Sequence, residues 1–380
     1  MTCYHPNIMI QDRDKINIKT GKGWQKIAFY NSRSPNFKGY EFYNKFNEDP
    51  VLNDNGKYKA VQIRCFNQCI GCLEDRAKEW ATKCYLESLY HDESYFITLT
   101  YDDNHLPVSN TMTTSKGEIF YDDGTWNSYI EYEHARSFIR KVRDWQREKY
   151  GINGIKYFGC GEYGGKEGRA HFHIIMFGLH LEPNDVRVHE ISKDGNVTYK
   201  CEELSKCWVM PNERRGQAEP MGFITVAEVN WQTSRYVAGY VQKKEFKNAK
   251  DEYEYFTNKE AYYARRGQTP ERLFMSTQGG IGKRYFDEHA REFFEDGYIM
   301  IHGAKQKIVK ARIPTYYERL LEHESEPTLD KYKEQKQEKA KANTKLKMSQ
   351  TSLSIAEQLE VEERIKKDKM LIFNLRDKVD

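Results

Sequence analysis

The stretch His171-Phe172-His173-Ile174-Ile175-Met176-Phe177 leaves a hydrophilic turn and becomes apolar, and it reads as a β-strand. Strand side chains alternate faces, so His171, His173, Ile175 and Phe177 point one way while Phe172, Ile174 and Met176 point the other. A single histidine in such a strand would be a satisfied structural residue. Two at i and i+2 repel when protonated and suit a metal ion when neutral. Upstream, Ile155 to Tyr163 is also strand-like, and Gly164-Gly165-Lys166-Glu167-Gly168 supplies a turn. The antiparallel hairpin so formed brings Glu162 back toward His171. A carboxylate beside two imidazoles is a ligand set that leaves positions open for a phosphate oxygen and water. The competing reading of Glu162 is a solvated residue at a hairpin end.

Further along, Tyr236 and Tyr240 stand four apart in Ser234-Arg235-Tyr236-Val237-Ala238-Gly239-Tyr240-Val241-Gln242-Lys243-Lys244. Helical spacing puts both phenols on one face, where they can serve packing or address a common site. Lys243 follows Tyr240 by three residues, on the same face, and an ammonium there stabilises a phenolate or grips a phosphate. Gly239 occupies the equivalent offset from Tyr236, so the two tyrosines are not equivalent.

Working outward, Cys65 opens a loop and helix running to about Tyr90, followed by a Tyr95–Tyr101 strand and a polar loop. A basic amphipathic helix spans about Tyr132 to Tyr150, with Ala135, Phe138, Ile139, Val142 and Trp145 on its apolar stripe. Its Arg136, Arg140, Lys141, Arg143 and Arg147 either track phosphates or form a solvated face. After the hairpin come a charged insertion, about 182–219, a strand around Phe223 to Val229 and the tyrosine helix. Strands separated by helices with a hairpin at the centre predict an α+β fold, a central antiparallel sheet flanked by helices. The expected organisation is an N-terminal extension over 1–60 with few periodic signals, a main domain over 61–315, and a charged helical or disordered tail over 316–380. The loop Ser276 to Gly282 lacks the spacing of a nucleotide-binding P-loop and reads as a turn.

The 380 residues, 38% hydrophobic and 31% charged, suffice for one sizeable core with appendages. A net charge of +3 does not by itself argue for nucleic acid. No apolar run approaches the roughly 20 residues that span a bilayer, so no membrane partner and an unsecreted protein are expected. The eight cysteines then read as thiols or metal ligands. Cys65, Cys69 and Cys72 provide three thiolates from one loop, and zinc usually takes four ligands. Cys3 or Cys84 completes the set, Cys3 being preferred because Cys84 falls on the helix stripe with Leu73, Ala77, Trp80 and Ala81. The alternative to a structural zinc is a group of reduced, partly buried thiols.

The strand Phe96-Ile97-Thr98-Leu99-Thr100-Tyr101, the element His171-Phe172-His173 and the double-tyrosine helix occur in the order of the HUH endonuclease superfamily, which the chain resembles. Cys65-Phe66-Asn67-Gln68-Cys69-Ile70-Gly71-Cys72, Gly161-Glu162-Tyr163-Gly164 and the Tyr236 to Lys244 run are similar to the replication initiators of gokushovirus-type microviruses, and the likeness covers roughly residues 60 to 315. It implies a rolling-circle initiator: Mg2+ or Mn2+ held by His171, His173 and Glu162, and Tyr236 and Tyr240 attacking single-stranded origin DNA to form 5′-phosphotyrosine. In related initiators a lysine follows the tyrosine by three residues, which assigns initiation to Tyr240 with Lys243 and the transfer step to Tyr236. The implied partners are origin DNA and the host's replication helicase and polymerase, in the bacterial cytoplasm; oligomeric state stays open. A two-tyrosine transposase of the same superfamily and a noncatalytic, zinc-dependent nucleic-acid binder are the competing readings.

Overall fold

The computed structural model describes residues 3–16, 24–32, 39–65, 69–109, 111–113, 117, 119–121, 127–164, 168–191, 197–231, 233–234, 249–302, 308–324 and 327–379. They fall into two compact units, one of residues 77–332 and one that combines 1–76 with 333–380.

In the smaller unit, strands β1 (Asn7–Asp12), β2 (Gln25–Tyr30) and β3 (Tyr58–Ile63) form an antiparallel sheet in the order β2-β1-β3. The alternation in β1 buries Ile8 and Ile10, which pack with Ala60 and with Phe46 of helix α1 (Gly39–Glu48). A folded sheet thus stands where the sequence offers few periodic signals. The charged tail is helical, with Pro327–Ser349 and Ile355–Val379 as its two long helices.

Helix α2 (Ile70–Ser88) leads into strand β4 (Ser94–Thr100) of the larger unit. Two short pairs follow, β5 (Val108–Ser109) with β8 (Asn127–Ser128) and β6 (Thr111–Thr113) with β7 (Ile119–Tyr121). Helix α3 covers Tyr132–Tyr150, the bounds its hydrophobic period predicts; Glu131 caps its start and Gly151, in the left-handed region, its end. Strands β9 (Lys156–Tyr163) and β10 (Ala170–Phe177) form the expected hairpin. The charged insertion contributes β11 (Val186–Ile191) and β12 (Val197–Cys201), followed by β13 (Ile224–Glu228) and β14 (Leu273–Met275). The sheet has seven antiparallel strands in the order β11-β12-β13-β4-β10-β9-β14, so β10 lies inside it with β4 and β9 as neighbours.

Burial on both faces explains why β10 is apolar almost throughout. Phe172, Ile174, Ile175, Met176 and Phe177 are fully buried, each contributing about 1.5–3 kcal/mol from removal of apolar surface. On the face shared by Ile175 and Phe177 lie Ala77, Ala81 and Cys84 of α2, with Trp80 stacked on Phe158 at 4.8 Å. On the other face Tyr132 of α3 meets Phe172 edge-on, and Trp208 fills the space between Phe172 and Phe138. Gly161 permits this approach, because a Cβ there would stand 2.7 Å from Ile130 Cγ2. A second core gathers Phe286, Phe293 and Phe294 of the helix Lys283–Asp296 around Tyr317. Among the described residues no helix is long and apolar enough to cross a membrane.

Candidate metal centre and its surroundings

Antiparallel register places His171 opposite Glu162 and His173 opposite Cys160, with the same alternation turning Glu162 and both imidazoles to one side. The Glu162 Oε2 atom lies 3.3 Å from the Nε2 of His171 and 3.3 Å from the Nε2 of His173. The three ligand atoms are all within 4.8 Å of one another. The two rings stand at 88° with centroids 4.9 Å apart, so neither blocks the other's nitrogen.

The far side of each ring is held. The carbonyl of Arg169 accepts from His171 Nδ1 at 3.1 Å, which puts that proton on Nδ1 and leaves the Nε2 lone pair facing Glu162. His173 Nδ1 is 3.0 Å from the Thr98 hydroxyl oxygen, and Phe96 stacks on its ring at 5.4 Å with an interplanar angle of 10°. Thr98 is the register partner of His173 on β4. Its role is invisible in the sequence until the β4–β10 pairing is known.

Burial disfavours the ionised Glu162 carboxyl, yet the hydrogen bonds and charge of His171 and His173 outweigh it and hold its pKa below the usual carboxylate range. Burial likewise works to lower His171, and the hydrogen bond and charge of Glu162 reverse the sign, raising it. Glu162 is therefore an anionic ligand at neutral pH. Its buried Oε2 makes no hydrogen bond of good geometry despite two nitrogens at 3.3 Å. A metal ion resolves that arrangement, since adjacent ligands of a six-coordinate cation with bonds of about 2.1 Å stand about 3 Å apart. Two imidazoles and a carboxylate on one side form a facial set with the remaining positions open.

Cys3, Cys65, Cys69 and Cys72 form a second group able to hold a metal ion, their sulfurs all within 4.8 Å. Cys3 joins it as expected. Cys84 does not; it is buried in the α2 core with Phe158 and Phe177. Cys201 and Cys207 are buried free thiols, like all eight cysteines. Tyr236, Tyr240 and Lys243 lie outside the described residues.

The basic helix divides its cations between fold and surface. Lys141 donates to the carbonyls of Val209 and Met210, and Arg143 to that of Ile155, so these two serve packing of neighbouring chain segments. Arg136 and Arg140 pair with Glu133, and Arg147 with Asp144, on the exposed face. Arg143 and Arg147 also border a cavity of about 440 Å³ with Lys156 at the opposite end of β9 from Glu162.

Residues 94–245 match the family model of the replication-associated protein ORF2 type, a span that runs from β4 through the metal-binding hairpin to the Tyr236–Lys244 segment. The chain is 29% identical to replication-associated protein ORF2 of Spiroplasma virus 4 over 86% of its own length and 84% of that protein. It belongs with the replication-associated proteins of microviruses. Replication-associated protein ORF4 of Chlamydia phage 1 is 26% identical over 67% of this chain and 52% of its own length. Replication-associated protein VP4 of Bdellovibrio phage phiMH2K is 24% identical over 66% of this chain and 65% of its own. The chain thus spans about half to two thirds of those two relatives. No solved structure matches. A microvirus replication protein of this kind acts in DNA replication, and the hairpin that carries Glu162, His171 and His173 falls inside the matched span.

Proposed function

We propose that this chain is a metal-dependent, site-specific endonuclease and strand transferase that nicks single-stranded origin DNA to start rolling-circle replication and rejoins the ends to circularise the viral genome. The observation that carries the reading is the convergence of Glu162, His171 and His173 on the central hairpin, with their ligand atoms within 4.8 Å. Magnesium or manganese suits a set containing a carboxylate and open positions. When bound, the divalent cation supplies Lewis-acid polarisation of the scissile phosphodiester.

The chain's own groups do the rest. Glu162 stays ionised, while Thr98 and the Arg169 carbonyl keep both Nε2 atoms turned to it. The nucleophile is a phenol: the Tyr240 oxygen bonds to phosphorus, the bond from phosphorus to the 3′ oxygen breaks, and a proton equivalent to the one the phenol loses ends on that oxygen. The phosphotyrosine keeps the phosphodiester's energy, so rejoining needs no ATP. A free tyrosine titrates near pH 10, and Lys243, three residues beyond Tyr240, favours its ionised form. Tyr236 then cuts the returning origin while Tyr240 still holds the first end. The released 3′-hydroxyl primes the host polymerase, with a host helicase opening the duplex, in the bacterial cytoplasm.

Incubating the full chain with labelled single-stranded origin DNA and Mn2+ tests this. A denaturation-resistant adduct is expected, absent after His173→Ala or the double Tyr236→Phe, Tyr240→Phe change. Tight binding without any adduct would make the chain a noncatalytic nucleic-acid binder and end the nickase reading.

A further inference from the structure

The four clustered cysteines carry chemistry that the nicking reaction does not use. Cys3 precedes β1, Cys65 follows β3, Cys69 precedes α2, and Cys72 sits in its first turn. All four are buried, with Cys3 at 4% exposure and the rest at or below 1%. Cys65 Sγ and Cys72 Sγ are 3.6 Å apart. Zinc–sulfur bonds of about 2.3 Å at tetrahedral angles set sulfurs about 3.8 Å apart. A disulfide would close such a pair to about 2 Å, and all four are free thiols. The backbone N–H of Cys65 donates to Cys3 Sγ at 3.4 Å and that of Cys72 to Cys69 Sγ at 3.5 Å. Such bonds, together with the positive end of the α2 dipole, favour thiolates over thiols.

The same cluster touches the end of the chain. Leu359, in the helix Ile355–Val379, packs against the cysteines. His5, two residues after Cys3, pairs through Nε2 with Glu363 at 2.7 Å, and Lys366 reaches Glu74, two residues after Cys72, at 2.9 Å.

We infer that Cys3, Cys65, Cys69 and Cys72 bind one Zn2+ as a tetrathiolate, and that this ion clasps the beginning of the chain, the start of α2 and the carboxyl-terminal helix into one unit. Binding closes a loop of 62 residues between Cys3 and Cys65, chain entropy that the three-stranded sheet alone must otherwise offset. The ion also fixes the positions of His5 and Glu74, which hold the last helix.

The test uses the full chain made with ample zinc under reducing conditions. Elemental analysis should give one zinc per chain, and cobalt substitution should give the intense visible bands of a tetrahedral thiolate complex. Both should vanish in Cys65→Ser and Cys72→Ser and persist in the double His171→Ala, His173→Ala variant. If the cysteine variants do not fold, a mercurial titrated into the wild type should release the zinc and raise hydrogen exchange over residues 355–369. Zinc-free wild type, or zinc lost with the histidines and kept without the cysteines, overturns the site; unchanged exchange after release overturns the clasp. Failure of the nickase reading would show separately, as a zinc-loaded protein that forms no DNA adduct.

Discussion

Thr98 faces His173 across the β4–β10 ladder and keeps its Nδ1 occupied, so the ring cannot turn its Nε2 away from Glu162 without losing a 3.0 Å contact. Removing the hydroxyl in Thr98→Val should weaken Mn2+ binding by about 10–100-fold, the usual effect of losing a ligand's outer partner. Thr98→Ser should restore it. Mn2+ titration followed by thermal shift reads both, and equal affinities for Val and wild type would remove Thr98 from this role. The tyrosines separate by chemistry rather than position. With Lys243 three residues from Tyr240 only, Tyr240→Phe should abolish first-turnover cleavage of an origin oligonucleotide while Tyr236→Phe leaves it largely intact; equal first-turnover rates would refute the assignment. At this scale the histidine pair, Glu162 and the cysteines are readable directly, since strand alternation and residue type are local properties.

Strand β9 is held at both ends by interactions of different kinds. Near its start, Lys156 pairs at 2.8 Å with the buried Glu87 of α2, which also accepts from the Gly282 amide at 2.6 Å and meets His91 at 3.0 Å. Burial alone would raise the Glu87 pKa; His91, Lys156 and the Gly282 N–H outweigh it and lower it. A carboxyl whose pKa is depressed on folding contributes stability above its unfolded value, about 4.3, and loses it as pH falls through the folded value. Glu87→Gln should therefore cost about 2 kcal/mol at pH 7, with the difference from wild type shrinking below about pH 4 in urea melts. A gap independent of pH would contradict the ionised assignment. Toward the other end, Gly161→Ala forces a methyl against Ile130, and about 1–3 kcal/mol of destabilisation is expected by calorimetry. A melting temperature equal to that of wild type would show that α3 gives way at no cost. The period of α3 was legible to its last residue because its apolar stripe meets a core. The fates of Lys141 and Arg143 were not, because periodicity identifies a polar face without saying which carbonyls come to meet it.

Over the whole molecule, no ligand of the cysteine cluster comes from the seven-stranded sheet, and no ligand of the histidine centre comes from the smaller unit. Stripping zinc should accordingly raise hydrogen exchange in β1 and β3 while β9 and β10 stay protected; loss of protection in both would show that the two centres share one cooperative unit. The amino-acid sequence by itself determined the α+β class, the strand that turns two imidazoles to one side and the thiol loop waiting for a fourth ligand. These follow from backbone periodicity and side-chain chemistry within a few residues of one another. Only the tertiary structure decided that Cys3 rather than Cys84 completes the cluster, that Thr98 backs His173, that residues 7–63 contribute a three-stranded sheet, and that Glu363 of the last helix returns to His5. Those pairings join segments far apart in the chain, and their partners are chosen by which packing buries the most apolar surface while leaving each buried polar group satisfied, a condition no local window contains.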